Sequence, residues 1–181
     1  GYSAEQIDIV VITHMHGDHI GGLLSDDTPT FPNARYVTGQ VEFDHWAGAE
    51  NEGFEASVRP LADQFSFLDA GQDLITGVSA VAAFGHTPGH MVYRLDSDGA
   101  ALMIMADLAN HPVWSLANPD WEFRFDMDKE GAIASRRAML AMAAADKVPT
   151  VFYHMPFPAF GFVDTDGDGF RWVPEGGQLR G

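Results

Sequence analysis

The 181-residue chain contains no cysteine. That excludes disulfides, thiolate zinc sites and cysteine nucleophiles, and it leaves the redox compartment open. Lysine is almost absent too, with only Lys129 and Lys147, and the net charge is −16. A surface this acidic repels phosphate backbones, so nucleic acid is not an expected partner. No apolar run reaches the roughly 18 residues of a membrane span, so no membrane is expected either. The opening residues, GYSAEQID, show no basic segment followed by an apolar one. No secretory signal is visible in them, and the compartment stays open.

What is present is a chain 46% hydrophobic, enough for one core, and a single domain over residues 1–181 is expected. Residues 7–13 (IDIVVIT) read as a buried strand, and DHIGGLL begins a short helix beside it. ARYVT, FSFLD, VSAVAAF, MVYRLDSD and ALMIMAD read as further strands, the last two joined by a tight turn at Ser97 to Gly99. Helices are expected over 41–47, 56–64 and, most strongly, the alanine-rich 129–147, with Ile133, Arg136, Arg137 and Leu140 on an amphipathic face. A Trp- and Pro-rich loop, 111–125, precedes that last helix, and a strand ending VFYH and a terminal hairpin follow it. Strands alternating with helices, plus hairpins, imply a layered mixed α/β fold.

The chemistry concentrates in VVITHMHGDHIGG. Residues two apart on an extended chain project to one side, so His14 and His16 can grip one ion together. Asp18 and His19, where the chain turns into a helix, point elsewhere and can serve a second. His86 sits in GHTPGH, Asp107 ends ALMIMAD, and His154 ends VFYH. Four strands thus each deliver metal-capable groups at their C-terminal ends, the edge where α/β sites assemble. Imidazole with carboxylate suits zinc and its neighbours.

These strings resemble a known family. HMHGDH matches the HxHxDH motif of the metallo-β-lactamase superfamily, and GHTPGH, the aspartate after an apolar strand and the late histidine follow in the family's order. FPNARYVTGQVEFDHW, ADLANHPVW and HMPFPAFGFV…GFRWVP resemble the branch with methyl parathion hydrolases and lactonase-like enzymes. The resemblance implies an αββα sandwich whose N-terminal strands lie outside this chain. It also implies two divalent metals, zinc before manganese, iron or cobalt. His14, His16 and His86 would hold one, Asp18, His19 and His154 the other, and Asp107 would bridge them. True lactamases commonly place cysteine at the bridging position, so the aspartate favours a dinuclear hydrolase.

Two such cations about 3.5–4 Å apart bring the pKa of a shared water toward roughly 7. Asp107 and Asp18 are then the catalytic carboxylates, and the expected substrate is a small ester, lactone or phosphotriester. A glyoxalase II-like thioesterase is a second reading, and a metal-binding fragment without turnover a third. A second copy of the chain, or a partner that completes the sheet, is the expected macromolecular contact.

Trp46, Asn110, His111 and Phe157 are expected at the substrate, with Trp114 as a further aromatic candidate. Some lactonases carry a tyrosine where this chain has Asn110. His90 is expected behind the ligands. DTDGDGFRWVPE (164–175) fits the EF-hand pattern for calcium formally, but its flanks read as strands, and a hairpin turn is the better account.

Overall fold

The computed structural model describes residues 1–175. The strands are β1 (Ile9–Val11), β2 (Leu24–Ser25), β3 (Thr28–Pro29), β4 (Arg35–Gly39), β5 (Phe65–Leu68), β6 (Asp73–Ile75), β7 (Val78–Ala82), β8 (Met91–Ser97), β9 (Ala100–Ala106), β10 (Thr150–Phe152), β11 (Phe160–Asp166) and β12 (Gly169–Pro174). The α-helices are α1 (Gly17–Ile20), α2 (Gln40–Gly48), α3 (Glu52–Ser57) and α4 (Lys129–Asp146). A parallel sheet runs β1-β4-β5, a larger one runs β12-β11-β10-β9-β8-β7-β6, and β2-β3 form a small hairpin.

The period-2 pattern of the strands creates the layers. Tyr36 faces outward onto Trp46, Phe54, Val58 and Leu61 of the α2–α3 region. Its neighbour Val37 faces inward, onto Met91 and Tyr93 of the large sheet. In β8 and β9, Tyr93 and Ile104 turn to that inner layer, while Val92, Met103 and Met105 turn to Leu140 and Ala143 of α4. One residue along a strand is one layer across the protein. The result is helix, sheet, sheet, helix, as expected for the αββα sandwich.

Local chemistry explains where elements start and stop. Asp128 caps α4 by accepting from the Gly131 amide at 3.1 Å, and Lys147 ends it in the left-handed region at φ 51°. The helix expected over 56–64 is instead two pieces. Asn51 caps α3 through Phe54 at 2.9 Å, and Pro60 then opens a 3₁₀ turn over Arg59–Gln64, since proline suits a first turn and not an interior. The helix expected from DHIGGLL stops at Ile20, and β2–β3 follow through Asp26 and Asp27, both at positive φ. A π-helical turn, Pro112–Ala117, occupies part of the segment read as loop. The acidic hairpin is β11–β12, turning at Gly167, with Asp164 bound to Arg171 at 2.7 Å. Strands, not helices, flank it. No helix among the described residues is long and apolar enough to cross a membrane.

Candidate metal centre

The two sheets present their strand ends to a common point. β1 delivers His14 and His16, and the single turn of α1 carries Asp18 and His19. His86 follows β7, and Gly85 just before it lies at φ +124°, where an added Cβ would stand 2.0 Å from the Ala132 nitrogen. Only glycine lets the chain pass α4 this closely. Asp107 follows β9 through Ala106, a non-glycine residue at φ 48° that coincides with a register shift between β9 and β10. That irregularity redirects the carboxylate away from the strand's own alternation. His154 lies just beyond β10.

Asp107 is the centre of the cluster. Its Oδ2 lies 3.4 Å from His86 Nε2, 3.1 Å from His154 Nε2 and 3.9 Å from His14 Nε2. Its Oδ1 lies 3.3 Å from His19 Nε2. His16 Nδ1 and His86 Nε2 face each other at 3.0 Å, and Asp18 Oδ2 stands 3.4 Å from both His19 and His154. Among the described residues, three groups therefore have ligand atoms close enough for one ion each: His14, His16 and His86; His14, His19 and Asp107; and Asp18, His19 and His154. His14 Nε2, His19 Nε2 and Asp107 Oδ1 are buried without a hydrogen-bond partner among the described residues. Orphaned lone pairs aimed at one another are costly in a protein interior, and a cation between them removes that cost. The donor set, imidazole nitrogen plus carboxylate oxygen, fits zinc.

Burial holds His14, His16 and His90 neutral. It lowers His14 far below its ordinary value and His16 to about 4, helped in each case by neighbouring histidines. His90, fully buried, falls to about 3. It donates from Nδ1 to the Ala83 carbonyl at 3.0 Å and accepts the Asp107 amide on Nε2 at 3.3 Å. It thus fixes the backbone behind the central carboxylate. His86 is the exception. Burial opposes its charge, but Asp107 and Asp126 outweigh burial and raise it to about 8.

Asp126, not anticipated from sequence, accepts from His86 Nδ1 at 2.9 Å. Its other oxygen takes the Arg136 guanidinium at 2.7 Å. Arg136 is 1% exposed and also donates to the carbonyls of Leu108, Pro119 and Trp121. Placing the His86 proton on Nδ1 leaves Nε2 bare toward Asp107 and His16, the orientation a metal ligand needs. The sequence signal was an arginine amid the apolar positions of an amphipathic helix.

A cavity of about 410 Å³ opens over the cluster, lined by His16, Asp18, His86, Asp107 and His154, with Asn110, Trp114, Phe123 and Phe125 as further wall. Asn110 Nδ2 reaches Asp107 Oδ2 at 3.3 Å. The other residues expected at the substrate lie elsewhere. Trp46 is 7% exposed within the outer helical core, edge-on to His16, and absent from the cavity wall. Phe157 is 97% exposed and is not part of this cavity's wall. His111 accepts the Val113 amide at 3.1 Å and stacks on Trp114 at 4.3 Å, so it shapes the π-helical turn rather than the wall itself.

Comparisons with known proteins place the fold in a family. The metallo-beta-lactamase superfamily model matches residues 1–151. The dizinc quorum-quenching lactonase AidC, solved with the product N-hexanoyl-L-homoserine, is 31% identical with a TM-score of 0.88 over 97% of this chain. The hydrolase AbOPH, of the beta lactamase superfamily, is 26% identical with a TM-score of 0.90 over 97% of this chain. An N-acyl homoserine lactonase of Bacillus cereus is 23% identical over 154 residues, 84% of this chain. The chain spans 66% of the AidC and AbOPH chains and 57% of the Bacillus enzyme.

Proposed function

The chain belongs to the metallo-beta-lactamase superfamily, and from that premise we propose that it is a two-metal hydrolase of small neutral lactones or esters. The observation that carries this reading is Asp107, whose Oδ2 stands 3.4 Å from His86 and 3.1 Å from His154 while Oδ1 faces His19 at 3.3 Å. One carboxylate set between two histidine groups is what a bridged metal pair requires. His14, His16 and His86 would hold one zinc, Asp18, His19 and His154 the other. The pair would supply an acidified water and a Lewis acid for the substrate carbonyl or phosphoryl oxygen.

The chain's own groups do the rest. Asn110 lines the cavity beside Asp107, and its amide is placed to donate to a substrate oxygen. Asp18, at the cavity floor with more than half of its side chain exposed, is placed to receive a proton. Trp114, Phe123 and Phe125 offer an apolar wall for an acyl or aryl group. Among the described residues no lysine or arginine lines the cavity, which favours a neutral substrate over a charged glutathione thioester. The likeness to AidC and to the Bacillus lactonase favours a lactone with an acyl chain among the neutral candidates.

The test is metal analysis by plasma mass spectrometry, followed by turnover assays on an acyl homoserine lactone, a linear aryl ester and a phosphotriester. About two zinc per chain, with the lactone turned over best, is the expected result. Metal near zero overturns the reading, as does full occupancy without turnover of any of the three.

A further inference from the structure

Behind the histidines lies a buried carboxylate that the reaction does not use. Glu42, on α2, is 0% exposed. Its Oε1 accepts the Met15 amide at 2.8 Å and the Trp46 indole N–H at 2.7 Å. Its Oε2 accepts the Thr87 hydroxyl at 2.7 Å and the Gly89 amide at 2.9 Å. Met15 sits between His14 and His16, and Thr87 follows His86. Four short bonds to one carboxylate therefore fasten α2 to both loops that carry the first ligand group, one loop from each sheet. The fit depends on Gly89, where an added Cβ would stand 2.3 Å from the Glu42 nitrogen.

We infer that Glu42 is the positioning residue for the His14, His16 and His86 group, setting its affinity for metal; the inference rests on the two-metal reading above. Every contact of Glu42 is a donor, so the site suits an anion with four accepting lone pairs and rejects an amide, whose NH₂ would face another N–H. A glutamine there forces one loop away, and a shift of a few tenths of an ångström spoils three converging nitrogens. The second group is different. Asp18, His19 and His154 share no hydrogen bond with Glu42, so it should be spared.

The experiment is chelator competition with zinc alone on the intact chain, comparing wild type, Glu42→Gln, His154→Ala and the double variant. His154→Ala weakens the second group and isolates the first. Glu42→Gln is expected to weaken one of two zinc equivalents about ten- to a hundredfold, the usual effect of losing such support, and the double variant to lose the remaining tight one. Thr87→Val removes a single donor and should weaken the same equivalent several-fold while lowering the metal-free melting temperature by only a few degrees. Equal affinity in His154→Ala with and without Glu42→Gln overturns the inference, as does equal weakening of both equivalents in Thr87→Val. Wild type without zinc overturns the functional reading and this inference together. Wild type with two zinc and an unaffected Glu42→Gln overturns this inference alone.

Discussion

Asp107 Oδ2 and His154 Nε2 stand 3.1 Å apart although they end different strands, β9 and β10, of the same sheet. Those strands run parallel, so both side chains emerge at one edge, and Asp107 meets His19 from the other sheet through its second oxygen. Replacing this carboxylate removes a group that faces histidines of both sets, His86 on one side and His19 and His154 on the other. Asp107→Ala is expected to lower hydrolysis by at least about a hundredfold, and to reduce bound zinc from two equivalents toward one. Steady-state rates and metal content on the same samples check both parts. Unchanged hydrolysis would rule out a bridged pair.

The pH dependence of zinc uptake follows from His86. His14 and His16 are already neutral at pH 7, whereas His86 is raised to about 8. Zinc must displace that proton, so affinity of the first group should rise about tenfold per pH unit up to roughly pH 8 and then level off. In the metal-free chain the sign reverses. The extra stability from charged His86 is fully present below about pH 6.5 and is lost as pH climbs through about 8. Calorimetric titration of His154→Ala in buffers of different ionisation enthalpy would read the released proton. A pH-independent affinity between 6 and 8 would refute the assignment.

Asp126→Asn tests the support of His86. The neutral amide leaves Arg136 buried beside no anion, and a buried pair broken this way costs about 3–5 kcal/mol. It also loosens the hold on the His86 tautomer, so zinc affinity should fall about ten- to a hundredfold. Urea unfolding in the presence of a chelator gives the first quantity and zinc competition the second. Wild-type values for both would contradict the role.

The apolar wall gives a specificity test. Trp114→Ala should raise KM for a long-chain acyl lactone about tenfold, equivalent to roughly 1.4 kcal/mol, with little change in kcat or for a short-chain substrate. Phe157→Ala should leave both unchanged, since that ring is 97% exposed. KM measured across acyl lengths decides it, and a Trp114→Ala enzyme blind to chain length would move the acyl group elsewhere.

The histidine cluster was legible in sequence because strand geometry projects residues two apart to one side, so that His14 and His16 announce themselves without a structure. The layering was legible for the same reason, through alternations such as Tyr36 and Val37. The supporting carboxylates were not. Glu42 meets Thr87, 45 residues away, and Asp126 meets His86, 40 residues away, and no local period records such pairings. Trp46 and Phe157 could not be placed from sequence because an aromatic residue is equally at home in a core, at a pocket or in solvent. The break between α3 and the following 3₁₀ turn was visible in Pro60, whose ring the helical pattern of 56–64 overrode.

The seam between the sheets has a consequence for the whole molecule. His14, His16, Asp18 and His19 belong to the β1 end of the small sheet, while His86, Asp107 and His154 belong to the large one. An ion held by both halves would rivet them, in a chain with no disulfide to do so. On the proposed two-metal reading, folding and metal capture would become one equilibrium, with free zinc at a hundred times its dissociation constant adding about 2.7 kcal/mol. The amount of folded protein in a cell would follow the cell's supply of zinc.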